Sequence, residues 1–291
     1  MPVNTRAPRV MTRERQLAIA AQLDAARTPD WPPVNPPERV VPVPMSVRLA
    51  VGGPAGARGT GLGWHDPSTL PPAVLVSYVY YQQFVSQRQR YNIRDWVLDS
   101  GAFSAHASGK EIRVEDYIAF ARQVWASDNR LVEVFALDVI GNWQASMRNA
   151  EAMWHAGVQC IPTYHYGSPV ENLLSMARQY PKIALGGAVG LRSKEKLAWA
   201  RKCFDRVWPK KIHGFGFGGE AIILALPWHS VDATNWELAP CRYGTWRGYG
   251  GSRISVRGAG QNLRTEVEHY LRIERRARAK FRHQLNELEG A

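Results

Sequence analysis

Three aspartates each close an apolar run. Asp99 ends WVLD, Asp138 ends VFALD and Asp232 sits in HSVDAT. Carboxylates that converge on one point suit chemistry at a glycosidic bond. One attacks an anomeric carbon, and another manages the proton of the leaving group. Different surroundings would give the two carboxylates different roles. Taken singly, each aspartate also reads as a cap for the helix that follows it. Other residue types gather at neighbouring run ends. Gly186-Gly187 closes KIALGG, where missing side chains let backbone approach a flat ligand. Phe103 and Phe215 flank the same ends, suited to sandwiching a planar base or, equally, to plain core packing.

These residues need elements that bring run ends together. From Ser46 onward, short apolar segments recur: VRLAV near Val47, VLVSYVY at Val74, DWVLDS at Asp95, VEVFALD at Val132, VQCIPTY at Val158, KIALGG at Lys182, HGFGF at His213 and HSVDAT at His229. Helical patterns separate many of them, at Val114–Ala126, Trp143–Ala156, Pro169–Tyr180, Ser193–Val207 and Gly219–Leu226. This alternation predicts an α/β chain with a parallel sheet closed as a (β/α)8 TIM barrel, preferred over an open doubly wound sheet. In such a barrel the functional groups lie at the C-terminal strand ends, where the aspartates fall. The first unit is irregular, with GGPAGARGTGLG in place of a helix.

Residues 1–46 read as an N-terminal arm, with a short helix at Arg13–Ala26 and a Pro-rich run that cannot hold a helix. Residues 47–291 read as the barrel. It includes an Arg/aromatic insertion, 236–260, read as a loop, and a single long basic helix over Asn262–Leu288.

A net charge of +12 over 291 residues favours polyanionic partners. Cys160, Cys203 and Cys241 stand far apart, without metal-ligand spacing, and read as reduced, buried thiols of a cytoplasmic protein. The expectation is no metal site. No stretch is long and apolar enough to span a membrane, so no membrane partner is expected.

Five motifs taken in order resemble the tRNA-guanine transglycosylase superfamily: LDSGAFSA (Leu98–Ala105), ALDV (Ala136–Val139), LGGAVGL (Leu185–Leu191), HGFGFGG (His213–Gly219) and HSVDATNW (His229–Trp236). They span about half of the chain. The resemblance implies that Asp232 attacks C1′ of a nucleoside and holds a covalent ribosyl intermediate. It makes Asp99 the general acid/base for the departing and incoming bases. Asp138 would hydrogen-bond the base edge, Ser100 and the Gly186–Gly187 backbone would complete the pocket, and Phe103 and Phe215 would stack on the base. No cofactor is implied, because one N-glycosidic bond replaces another.

Two departures bear on the substrate. Only Cys241 stands where the tRNA enzymes carry a zinc cluster, and Tyr164-His165-Tyr166 stands where they carry a Gln, which puts His165 in the base pocket. With the short chain and basic charge, these features resemble the DNA-modifying branch of the superfamily, from phages and bacterial modification clusters. The expected partners are DNA and a free 7-deazaguanine such as preQ0, with a homodimer left open. Arg242, Arg247, Arg253 and Arg257, interleaved with Tyr243, Trp246 and Tyr249, are the candidate nucleic-acid contacts. The alternatives are a tRNA-guanine transglycosylase acting on tRNA, a non-catalytic nucleic-acid-binding barrel, and a glycosidase acting on sugars.

Overall fold

The computed structural model describes residues 39–51, 70–88, 92–236, 245–247, 253–255 and 264–290. The expected Arg13–Ala26 helix, the Pro-rich run and the Gly-rich segment after the first strand lie outside the described residues.

Nine parallel strands form one sheet: β1 (Ser46–Val51), β2 (Ala73–Ser77), β3 (Trp96–Asp99), β4 (Leu131–Phe135), β5 (Cys160–Ile161), β6 (Thr163–His165), β7 (Lys182–Gly186), β8 (Lys211–Gly214) and β9 (Ser230–Ala233). The order is β5-β4-β3-β2-β1-β9-β8-β7-β6. Its two ends are consecutive pieces of one extended segment interrupted at Pro162, which has no N–H to give a ladder. On one side of the break, the Ala136 N–H donates to the Ile161 carbonyl (2.9 Å). On the other, the Ala184 N–H donates to the Pro162 carbonyl (2.8 Å). The sheet therefore closes around the break, and the chain is a (β/α)8 barrel with its fifth strand in two pieces.

Alternation along the strands decides what faces inward. Val47, Leu49, Val74, Val76, Trp96, Leu98, Ile183, Leu185 and Val231 pack in the large cluster between the sheet and the helices. Leu75, Val97, Phe135, Ile161 and Ala184 form a second, smaller cluster inside the barrel, which Val132 joins out of alternation beside the register shift between β3 and β4. The same period of two turns Arg48, Asp99, Lys182, Ser230 and Asp232 toward the interior.

The helical layer comprises α1 (Tyr81–Gln87), α2 (Ala102–Ala107), α3 (Val114–Ser127), α4 (Trp143–His155), α5 (Val170–Gln179), α6 (Ser193–Val207), α7 (Glu220–Ile223), α8 (Arg264–Lys280) and α9 (Arg282–Gly290). In α3, buried Tyr117, Phe120, Ala121 and Val124 fall at helical spacing, with Glu115 and Asp116 favourably placed in the first turn. Asn142 caps α4, its side chain accepting the Ala145 N–H at 3.0 Å.

The C-terminal segment corrects the expectation of one long helix. A turn at Phe281 separates α8 from α9. The Phe281 N–H still reaches the Ala277 carbonyl, and the Leu285 N–H the Phe281 carbonyl, both at 2.9 Å. The interruption is thus a bend, and Ala277, Phe281, Leu285 and Leu288 stay buried across it. The insertion, expected as a loop, contains a two-stranded antiparallel ribbon of β10 (Thr245–Arg247) and β11 (Arg253–Ser255), with Arg247 opposite Arg253. Among the described residues, no helix is long and apolar enough to cross a membrane.

Candidate active site at the C-terminal mouth of the barrel

Asp99 is the last residue of β3, and Asp232 the third of β9's four. Both face the same end of the barrel. Asp138 lies three residues beyond β4 rather than on it, because that strand ends at Phe135. His165 ends β6, and its Nε2 lies 3.2 Å from Asp138 Oδ2. Asp138 Oδ1 is buried and has no hydrogen-bond partner.

Asp99 Oδ2 accepts the Gly101 N–H at 3.1 Å. Gly101 has φ of 74°, and a Cβ there would meet Ser77 Oγ at 2.7 Å, so glycine is needed to fold the chain back over the carboxylate. Burial pushes the Asp99 carboxyl up to about 7; the charges of Asp138 and Asp232 add to the rise, against the Gly101 N–H and the Ser77 hydroxyl. Burial likewise pushes Asp232 up to about 6, opposed by the Gly216 N–H and more weakly by the Lys196 charge. Asp232 Oδ1 accepts that Gly216 N–H at 2.6 Å. Burial alone would lower the His165 pKa, but its hydrogen bond to Asp138 and the Asp138 charge raise it. Around neutral pH, Asp99 is thus poised to be protonated while Asp232 is mostly ionised.

The other expected residues divide. Gly186 owes its smallness to packing, since a Cβ would meet Thr163 Cγ2 at 2.7 Å. Gly187 is exposed at the mouth with φ of 71°. Ser100 is buried, and its Oγ accepts the Ala102 N–H at 3.4 Å, a local turn contact. Phe103 is 60% exposed. Phe215 packs on Phe135 and His213, with ring centroids 4.6 Å from each. No ring contact joins Phe103 to Phe215. Arg242 and Arg257 lie outside the described residues; Arg247 and Arg253 are placed only by the ribbon's register.

Several residues near the mouth escaped the sequence reading. Lys196 on α6 donates to the Gly216 carbonyl at 3.3 Å, beside Asp232. Asp232 also borders a cleft of about 70 Å³ shared with Thr234, Asn235 and Tyr270. Below the mouth, Arg48, Glu133, Lys182, His213, His229 and Ser230 form a polar interior. The available signal was the placement of charged residues at inward positions of apolar strands.

The basic helix α8 packs against the N-terminal end of the barrel. The Val47 N–H donates to Glu274 at 2.7 Å, and Arg278 binds both Glu274 (2.5 Å) and the Pro44 carbonyl (3.1 Å), so the Arg-rich end of α8 lies by the start of β1, away from the mouth. Cys160 and Cys203 are free and buried, as expected.

No family model matches the chain, and no curated protein matches it. Among solved structures, the chain is similar to the carboxyl transferase domain of Rhizobium etli pyruvate carboxylase, at 14% identity and a TM-score of 0.45, covering 82% of this chain and 48% of that one. It thus spans about half the length of that protein. It is also similar to a mutant tryptophan synthase alpha-subunit from Pyrococcus furiosus, at 11% identity and a TM-score of 0.47, covering 82% of this chain and 98% of that one.

Proposed function

We propose that the protein is an enzyme, a base-exchange transglycosylase that replaces guanine in DNA with a 7-deazaguanine of the preQ0 type. The observation that carries the reading is a pair of carboxylates at one barrel mouth, half-buried Asp99 and buried Asp232, pushed up by desolvation to about 7 and about 6. Two neighbouring carboxyls raised toward neutral pH can hold one proton between them, which is what displacement at C1′ requires.

In this mechanism an Asp232 oxygen attacks C1′ as the C1′–N9 bond breaks, and the Asp99 proton passes to the departing guanine. The Gly216 N–H steadies Asp232. The incoming base then attacks C1′ through N9, displaces Asp232 and returns a proton to Asp99. Bonds and charges balance without a cofactor. Asp138, oriented by His165, offers its unpartnered Oδ1 to the base edge, and exposed Phe103 supplies a stacking face.

The net charge of +12 supports a polyanionic nucleic acid of either kind, and DNA is preferred over tRNA on the resemblance to the DNA-modifying branch, with only Cys241 where the tRNA enzymes carry a zinc cluster. A target guanine in duplex DNA must leave the stack, at a cost of a few kcal/mol. The test is to incubate the protein with labelled preQ0 or guanine and either duplex DNA or tRNA. Label is expected in DNA. Incorporation into tRNA alone would reassign the polymer, and incorporation into neither would remove the reading.

A further inference from the structure

The barrel interior beneath Asp232 holds a chain of hydrogen bonds with a definite direction. It begins at Lys182, on β7. The ammonium Nζ contacts three acceptors: Glu133 Oε1 at 2.6 Å, His229 Nδ1 at 2.8 Å and Ser230 Oγ at 3.0 Å. An ammonium has three N–H donors and no acceptor, so Ser230 Oγ and His229 Nδ1 must both accept.

Ser230 Oγ also lies 2.8 Å from His213 Nδ1. With one lone pair engaged by Lys182, the Ser230 hydroxyl still has its own hydrogen to place. His213 Nδ1 is the acceptor that the geometry offers. The reverse arrangement, with His213 donating, would strand the hydroxyl hydrogen in a fully buried site and would also turn an Nε2 lone pair, rather than an N–H, toward the Asp232 carboxylate. His213 Nδ1 therefore carries no proton, and the neutral ring carries it on Nε2. That nitrogen is buried, has no hydrogen-bond partner and lies 3.9 Å from Asp232 Oδ1. The separation exceeds a hydrogen bond, so the contact is an oriented N–H dipole facing a carboxylate.

We propose that His213 is a positioning residue for Asp232, locked by the Lys182–Ser230 donor chain in the tautomer that turns an N–H toward the carboxylate. The sign of the interaction depends on that tautomer. With hydrogen on Nε2, the ring favours the ionised Asp232 that attack at C1′ needs. With hydrogen on Nδ1, a lone pair would face the carboxylate and disfavour it. Phe135 and Phe215 pack on the His213 ring and hold its plane. His229 is set by the same ammonium, leaving its Nε2–H to face Glu289 Oε1 at 3.5 Å.

The role in attack rests on the transglycosylase reading; the tautomer does not. The experiment therefore has two arms. Ring-nitrogen NMR of the full chain labelled with 15N-histidine reads the tautomer without substrate, the His213 signal being assigned from a His213→Gln sample. The wild type should show neutral His213 protonated on Nε2. Ser230→Ala should give a tautomer mixture, and Ser230→Thr should restore the single form. In the exchange assay, Ser230→Ala should lower kcat about tenfold with KM for the base unchanged, a loss of about 1.4 kcal/mol in the chemical step. Ser230→Thr should recover most of it. Protonation on Nδ1 in the wild type, or a kcat unaffected by Ser230→Ala, would overturn the proposal. A locked tautomer in a wild type that exchanges no base would instead overturn the transglycosylase reading.

Discussion

The floor and the mouth of this barrel hold the same residue type, buried aspartate, with opposite outcomes. At the floor, burial would raise Asp95, yet its pKa lies below the ordinary value because Arg48 (2.5 Å) and Arg94 (2.8 Å) both bind it. Glu133 is likewise held low between Lys182 and Arg48. At the mouth, Asp99 and Asp232 have backbone N–H groups for partners, and the charges of Asp138 and Asp232 push Asp99 further up, so burial prevails. Burial sets the size of the electrostatic stake, and the countercharge decides its sign. The floor cations hold their carboxylates ionised to lower pH than usual. The mouth leaves them able to take up and release protons near neutral pH.

Substitutions at the two ends should separate these roles. Asp99→Asn should lower exchange by about 10²–10⁴-fold, the usual weight of a general acid/base. In the wild type, kcat/KM should peak between about pH 6 and 7, falling on the acid side as Asp232 protonates and on the alkaline side as Asp99 ionises. Asp99→Asn should abolish the alkaline limb, and a limb that survives would assign it to another group.

Asp95→Ala tests the floor. It leaves Arg48 and Arg94 without their shared partner and should cost about 3–5 kcal/mol in unfolding free energy, while exchange per folded molecule changes little. The pH signs should also oppose. Asp99, raised in the fold, contributes stability that is present at low pH and lost as pH rises toward 7. Asp95, lowered in the fold, contributes stability present above the ordinary carboxylate range and lost as pH falls through its folded value. Urea melts of the wild type and of the two variants against pH would give these slopes as wild-type-minus-variant differences, and matching differences would erase the distinction between floor and mouth.

Much of this was legible in the sequence. Apolar runs at regular spacing gave the barrel, and strand-end position gave Asp99 and Asp232. The split of the fifth strand follows from Pro162 inside VQCIPTY, a run whose apolar pattern alone reads as continuous. The apolar run VEVFALD places Asp138 at a strand end, whereas β4 stops at Phe135 and the aspartate sits in the loop, tied to His165. Helices α1 and α2 are only 7 and 6 residues long, too short to show a periodic face. The Lys182 chain was the least legible feature. It joins residues from β4, β7, β8 and β9, and pairings across four strands depend on sheet register, which local pattern does not encode. Helical periodicity runs unbroken through Phe281, so the bend there leaves no mark on the pattern.

The most direct test of the account is capture of the covalent intermediate. The protein is mixed with a short guanine-containing DNA duplex without incoming base, quenched in acid and digested, and the peptides are mapped by mass spectrometry. The account predicts an adduct on Asp232 with the mass of the oligonucleotide less its guanine, with free guanine released, and no adduct in Asp232→Asn. Guanine release with no modified Asp232, or an adduct on a different residue, would contradict it.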